Sequence, residues 1–210
     1  MSEVKPAPVV AAFDFDGTLT RGDTLGPFLI HSLGWPRFLW GLLRCSPWLV
    51  AYVLRLMPNH HAKARLLQVA LAGLSVERAQ TLAQSFVTDY LLTQWSTWGL
   101  AQLVQHQAQG HRCVIVSASP GIYLHAVGKS LGVNAVLCTE MEVKDDCYTG
   151  HMTTANCHGE EKVRRLQVWL ATEYSAGTPE LHAYGDTKGD LPMLRLASTA
   201  WYRQRRWSQS

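Results

Sequence analysis

Five apolar residues, Val9 to Phe13, run straight into two carboxylates, Asp14 and Asp16, which are followed by Gly17 and Thr18. So short an apolar run reads as a strand. Residues i and i+2 of a strand point the same way, so both acids can reach one site beyond its carboxyl end. Open α/β sheets hold their ligands at that edge. Two acids in one pocket need a cation, a shared proton or a reaction to compensate them. A metal-dependent site is therefore expected near the start of the chain.

The rest of the pattern supplies the sheet. Residues 21–99 hold no convincing strand and read as helices, over roughly 24–34, 36–57, 59–73 and 75–95. From about residue 100 the pattern alternates: helix 100–109, strand 112–117, helix 120–131, strand 135–143, helix 160–174, strand 181–185, helix 190–197 and strand 199–202. Asp145 to Gly150 reads as a hairpin-type turn into a short strand. The β-branched run Cys113 to Val116 is that of a buried parallel strand. The expected fold is α/β, a Rossmann-like parallel sheet with helices on both faces. Residues 1–20 plus 100–210 form the core, and 21–99 form an all-helical cap inserted after the first strand.

With 210 residues the chain can bury one sizeable core, or a core and a small second domain. A net charge of +3 gives no footprint for nucleic acid. The five cysteines are odd in number and show no CxxC spacing, so neither a disulfide framework nor a zinc site is read. Reduced thiols and an N-terminus without the plan of a signal peptide point to a cytoplasmic protein. Residues 38–57 are apolar enough to raise a membrane span, but Arg44 and Arg55 interrupt them. A central Arg costs about 2.5–3.5 kcal/mol on insertion scales. Pro47 should break or kink the helix. Three readings stay open for this segment: two buried helices, a span, or a surface rich in Trp and Arg that touches a membrane peripherally.

Three more polar clusters fall where strands end or helices begin: Ser117, Lys162, and Asp186 with Asp190 in Gly185-Asp186-Thr187-Lys188-Gly189-Asp190. In that order behind Asp14-Phe15-Asp16-Gly17-Thr18, they resemble the haloacid dehalogenase superfamily across essentially the whole chain. More narrowly the chain resembles the phosphoserine-phosphatase-like subfamily IB hydrolases, with a helical cap after the first motif.

The resemblance implies a phosphatase working through an aspartyl-phosphate, and the chemistry of the residues agrees. Asp14 is the expected nucleophile. Asp16 is the expected general acid, then base. Mg2+ is the expected cofactor, on Asp14, Asp186 and the backbone carbonyl of Asp16. Ser117, the Ala118 N–H and Lys162 are expected on the phosphate oxygens. Asp190 either orients Lys162 or a metal-bound water, or caps a helix. The histidines read as structural or exposed, with His158 near the phosphate site.

Asp23 matches the place of a Glu that meets the substrate amine in phosphoserine phosphatases. Arg65 matches an Arg that meets the carboxylate. A small phosphorylated metabolite is the expected substrate. A Trp-rich, apolar cap equally suits a lipid or lysolipid phosphate at a membrane, with Arg203, Arg205, Arg206 and Trp207 also touching it. A third reading is a catalytically weak binding or regulatory protein on the same fold.

Overall fold

In chain order the elements are β1 (Val9–Phe13), α1 (Leu25–Leu33), α2 (Trp35–Val53), α3 (Asn59–Leu71), α4 (Val76–Ser85), α5 (Thr97–Ala108), β2 (Arg112–Pro120), α6 (Gly121–Leu131) and β3 (Ala135–Thr139). There follow β4 (Met141–Lys144), β5 (Cys147–Met152), α7 (Glu160–Glu173), β6 (Glu180–Gly185), α8 (Leu191–Leu196), β7 (Thr199–Tyr202) and β8 (Arg205–Trp207). The computed structural model describes residues 8–53, 59–174 and 178–208. Arg55 lies outside them.

The main sheet has the order β3-β2-β1-β6-β7-β8 and is parallel except for β8. β1 sits inside it, which is why it is apolar on both faces. Its residues alternate between two cores. Ala11 and Phe13 join Cys113, Ile115, Leu103, Tyr123 and Leu124 on the face covered by α5 and α6. Val10 and Ala12 join Val114, Val116, Leu166, Leu181 and Leu194 on the face covered by α7 and α8. Parallel strands with both faces covered put their carboxyl ends at one edge, and Asp14, Ser117 and Asp186 all stand there.

Among the described residues the stretch between β1 and β2 holds only helical elements, apart from two isolated bridges, one pairing Thr20 with Trp95 and one pairing Ser75 with Cys147 of β5. The chain thus leaves and re-enters the sheet layer at neighbouring points. The stretch shares a core with the sheet: Phe28 and Phe86 pack on Tyr123 of α6, with ring centroids 4.5 and 5.6 Å apart.

Several local expectations are corrected. α2 runs unbroken through Pro47. Pro47 and Leu43, whose carbonyl lacks its usual donor, are both exposed, so water can satisfy that group. The helix expected over 75–95 ends at Ser85 and passes into a π-turn (Phe86–Tyr90) and a 3₁₀ turn (Leu91–Thr93). Wider spacing there lets Phe86, Val87 and Leu91 all face the core. The strand expected over 135–143 is two: β3 closes the main sheet, while β4 pairs with β5 in a separate antiparallel hairpin. Asp145 and Asp146 form that hairpin's turn with φ of 50° and 57°. The C-terminal arginines form part of a hairpin, β7–β8, which the sequence pattern did not reveal. Trp207, which the lipid-phosphate alternative places at a membrane, packs on the α7–α8 core.

One buried group on the α5 side gives the fold a pH dependence. His106 Nε2 lies 2.8 Å from the Tyr184 hydroxyl, and its Nδ1 lies 2.8 Å from His111 Nδ1. Burial, with His182 and His111 adding to it, holds the His106 pKa down at about 4. The unfolded chain takes up this proton near pH 6.5, so stability is full above that pH and falls as pH drops toward 4. The loss is on the order of 2–3 kcal/mol. Urea unfolding between pH 7 and 4 should show it, and His106→Gln should flatten the slope.

Candidate active site

The site is built at the carboxyl edge of the sheet. Asp14 extends the β1 ladder by one bond, its N–H donating to the Tyr184 carbonyl at 2.9 Å. The chain then turns sharply, with the N–H groups of Thr18, Leu19 and Thr20 all directed at the Phe15 carbonyl. Gly17 makes the turn feasible. Its φ is 80°, and a Cβ there would fall 2.3 Å from Asp186 Oδ2.

Lys162 is the centre of the charge arrangement. It lies in the first turn of α7, where the helix dipole disfavours a cation. It is nonetheless buried, with Nζ 2.5 Å from Asp14 Oδ1 and 2.6 Å from Asp190 Oδ1. Burial alone would lower its pKa, but the two carboxylates outweigh that and hold the ammonium charged. Asp190 is the better satisfied acid: its Oδ2 also accepts from the Asp186 N–H, the Thr187 N–H and the Thr187 hydroxyl. Its pKa lies below the ordinary value because Lys162 and these donors overcome burial.

Asp14 and Asp186 are left short of positive charge. Burial, with Asp190 adding to it, raises both. Carboxylate oxygens of Asp14, Asp186 and Asp190 lie within 4.8 Å of one another. Since Asp190 is already filled by protein donors, Asp14 and Asp186 offer the free oxygens. An all-oxygen, negatively charged pair of this kind fits a hard dication such as magnesium. A cleft of about 240 Å³, lined by Gly17, Thr18, Trp98, Asp186 and Arg203, opens beside them.

Asp16 is held apart from this cluster. Its Oδ1 accepts from the Thr24 N–H (2.8 Å) and hydroxyl (2.6 Å), and its Oδ2 from the Ser119 hydroxyl (2.5 Å). Tyr123 OH bonds both of those hydroxyls at 2.9 Å. Burial raises the Asp16 pKa despite these donors, so the group holds a proton more readily than an ordinary aspartate. Ser117 is buried, and its Oγ accepts from the Ser119 N–H at 3.0 Å. The Ala118 carbonyl is gripped by Lys63 Nζ (2.5 Å) and Thr139 Oγ1 (2.8 Å).

Sequence reasoning missed Lys63, Thr24, Ser119 and Tyr123. A helical Lys has no local mark of function, and the other three act by holding groups already identified. Lys63 feels Asp16 and Asp23, and also donates to Asn156 Oδ1. Asp23 is exposed and accepts from the first N–H of α1, that of Leu25, at 3.0 Å. The structure does not bring Arg65 to the carboxylates. Its guanidinium lies 4.7 Å from the Trp48 ring, donates to Gln68 Oε1, and lines a recess with His151 and Met152. Lys63, two residues earlier on α3, is the basic residue of that helix that reaches the carboxyl edge, at the Ala118 carbonyl. His158 packs its ring over Gly189, beside Lys162.

Residues 11–195 match the family described as haloacid dehalogenase-like hydrolase. The chain is a haloacid dehalogenase-like hydrolase. This hydrolase is 33% identical over 202 residues to protein CicA of Caulobacter vibrioides, covering 96% of this chain and 88% of that one. It is 28% identical over 131 residues to a histidinol-phosphatase of Neisseria meningitidis serogroup C, covering 61% and 59%. A substrate-bound phosphoserine phosphatase superimposes on this hydrolase with a TM-score of 0.64 at 15% identity, covering 94% of this chain and 87% of that chain, a likeness of fold. No helix among the described residues is long and apolar enough to cross a membrane.

Proposed function

We propose that this hydrolase is a magnesium-dependent phosphatase that cleaves the phosphate monoester of a small metabolite. The observation that carries the reading is the buried Lys162 bridging Asp14 and Asp190, with Asp186 beside them at the carboxyl edge. Asp14 attacks phosphorus as the bond to the leaving oxygen breaks, and Asp16 gives that oxygen its proton. Asp16 then takes a proton from the water that attacks the aspartyl-phosphate, which frees phosphate and restores Asp14. Lys162 and the Ser117 hydroxyl hold the transferring oxygens. Asp14 and Asp186 would hold magnesium, which would supply charge against the phosphate dianion. Thr24, Ser119 and Tyr123 position Asp16. Lys63 and Asp23 face the leaving group.

A second reading, a lipid or lysolipid phosphate at an anionic membrane, is favoured by α2. Trp35, Leu39, Trp40 and Leu43 are 55–62% exposed along this one helix. Arg37 and Arg44 are exposed on it too, and residues 24–76 contain no Asp or Glu. Aromatic and basic groups together suit an anionic interface.

One assay separates the readings: phosphate release with magnesium from amino-acid, sugar and lysolipid phosphates, with and without phosphatidylglycerol vesicles. Vesicle-independent turnover of a soluble phosphate is the expected result. Turnover confined to lysolipid, with sedimentation on vesicles that Trp40→Glu abolishes, would replace the first reading by the second. No release from any compound would favour the catalytically weak protein.

A further inference from the structure

A second cluster of donors lies along the same carboxyl edge, two strands from Asp14, where β3 ends and α6 begins. Cys138 is the fourth residue of β3 and is buried. Glu140 follows the strand, and His125 lies in the second turn of α6. The three side chains converge. His125 Nε2 lies 3.0 Å from Glu140 Oε1, Cys138 Sγ lies 3.2 Å from the same oxygen, and Cys138 Sγ lies 3.8 Å from His125 Nε2.

These separations resemble the edges of a coordination tetrahedron. Zinc bonds of about 2.0 Å to N and O and about 2.3 Å to S place neighbouring donors about 3.3–3.6 Å apart. The set also combines thiolate, imidazole and carboxylate, a mixture suited to zinc rather than magnesium. The three donors also converge on one point of the backbone. A Cβ at Gly121 would lie 2.5 Å from Glu140 Oε2, 3.0 Å from His125 Nε2 and 3.2 Å from Cys138 Sγ. The three donors therefore close in over the Cα of Gly121, where no side chain could stand between them. The His125 and Glu140 side chains reach solvent, which provides a route in and a place for water as fourth ligand.

We infer that His125, Cys138 and Glu140 form a zinc site distinct from the phosphatase centre. Binding replaces the Cys138 S–H bond by an S–Zn bond and the His125 Nε2–H bond by an N–Zn bond; His125 ligates as the neutral imidazole with its proton on Nδ1, and the displaced protons pass to solvent. Burial and Glu140 favour the protonated thiol, a cost the metal bond must exceed. The ion would tie α6 to the end of β3. Thr139, between two of the ligands, holds the Ala118 carbonyl, so the tie reaches the backbone beside Ser117. The donors come from a helix, a strand and the residue after it, with only Cys138 and Glu140 close in sequence. That is why CxxC spacing could not reveal them.

The test is a cobalt titration of the full chain after treatment with a chelator. One equivalent should give the near-ultraviolet charge-transfer absorption of a thiolate–cobalt bond. Zinc should displace it, and excess magnesium should not. His125→Ala changes an exposed side chain and should fold normally. It should raise the half-saturating cobalt concentration by more than the roughly 10–100-fold that loss of a supporting hydrogen bond costs. Cys138→Ala should remove the band, and zinc should raise the Tm of the wild type but not of His125→Ala. Asp14→Asn should keep the band, which separates this site from the phosphatase reading. No band in folded wild-type protein, a band that survives Cys138→Ala, or an unshifted titration in His125→Ala would overturn the inference.

Discussion

Asp14→Asn should lower magnesium-dependent phosphate release on the order of 10⁴-fold or more, because Asn offers no oxygen that can form the phospho-enzyme. The substitution is nearly isosteric, so the fold should remain. Stability should be unchanged or higher, for a physical reason. Asp14 is a buried acid whose pKa is raised by desolvation and by Asp190, so its charge is a strain on the folded state. The neutral amide removes that strain, while Lys162 keeps Asp190 as a partner. A variant that folds as well as the wild type and still turns over above a tenth of its rate would sink the nucleophile assignment.

Lys162→Met should show the opposite balance, losing activity and stability together. The substitution leaves Asp14 and Asp190 buried with no cation between them. Breaking a buried pair in this way costs about 3–5 kcal/mol, because an uncompensated charge remains. The pH dependence should identify the cause. In the wild type Asp190 has a lowered pKa, so its contribution is present above about 4 and is lost as pH falls through the lower folded value. Without Lys162 both acids have raised values, so the variant should gain stability as pH falls and they become protonated. Adding Asp190→Asn to Lys162→Met should recover part of the loss, a coupling that denaturant titration of the four proteins can measure. Equal loss with and without Asp190→Asn, at every pH, would point to packing instead of charge.

Much of the arrangement was legible because chemistry-bearing residues stand at strand ends. Asp14 and Asp186 each follow a recognisable strand, Ser117 ends the apolar run of another, which continues to Pro120, and Lys162 opens a helix. A parallel sheet must bring such positions to one edge, whatever the details of packing. Lys63 had no such address. It lies on a helix between β1 and β2, and whether it or Arg65 faces the sheet depends on the rotation of α3, which long-range packing sets. The same limit explains Pro47, tolerated because its helix face meets water, and the split of 135–143 into strands of two different sheets. It also explains β8, a three-residue strand with two arginines that exists only by pairing with β7.

From local pattern alone came β1, β2, β6 and β7, their carboxyl-edge acids, the parallel sheet and the helical stretch between β1 and β2. These follow from periodicity and from the rule that buried strands end at one edge. The tertiary structure alone decided how charge is shared among the acids. Lys162 and the Thr187 donors fill Asp190, Thr24 and Ser119 fill Asp16, and Asp14 with Asp186 are left wanting a cation. It also decided that His125, Cys138 and Glu140 face one another over Gly121. Both outcomes depend on ångström-scale distances between residues far apart in the chain, and electrostatic and coordination energies vary too steeply with distance to be read from order alone.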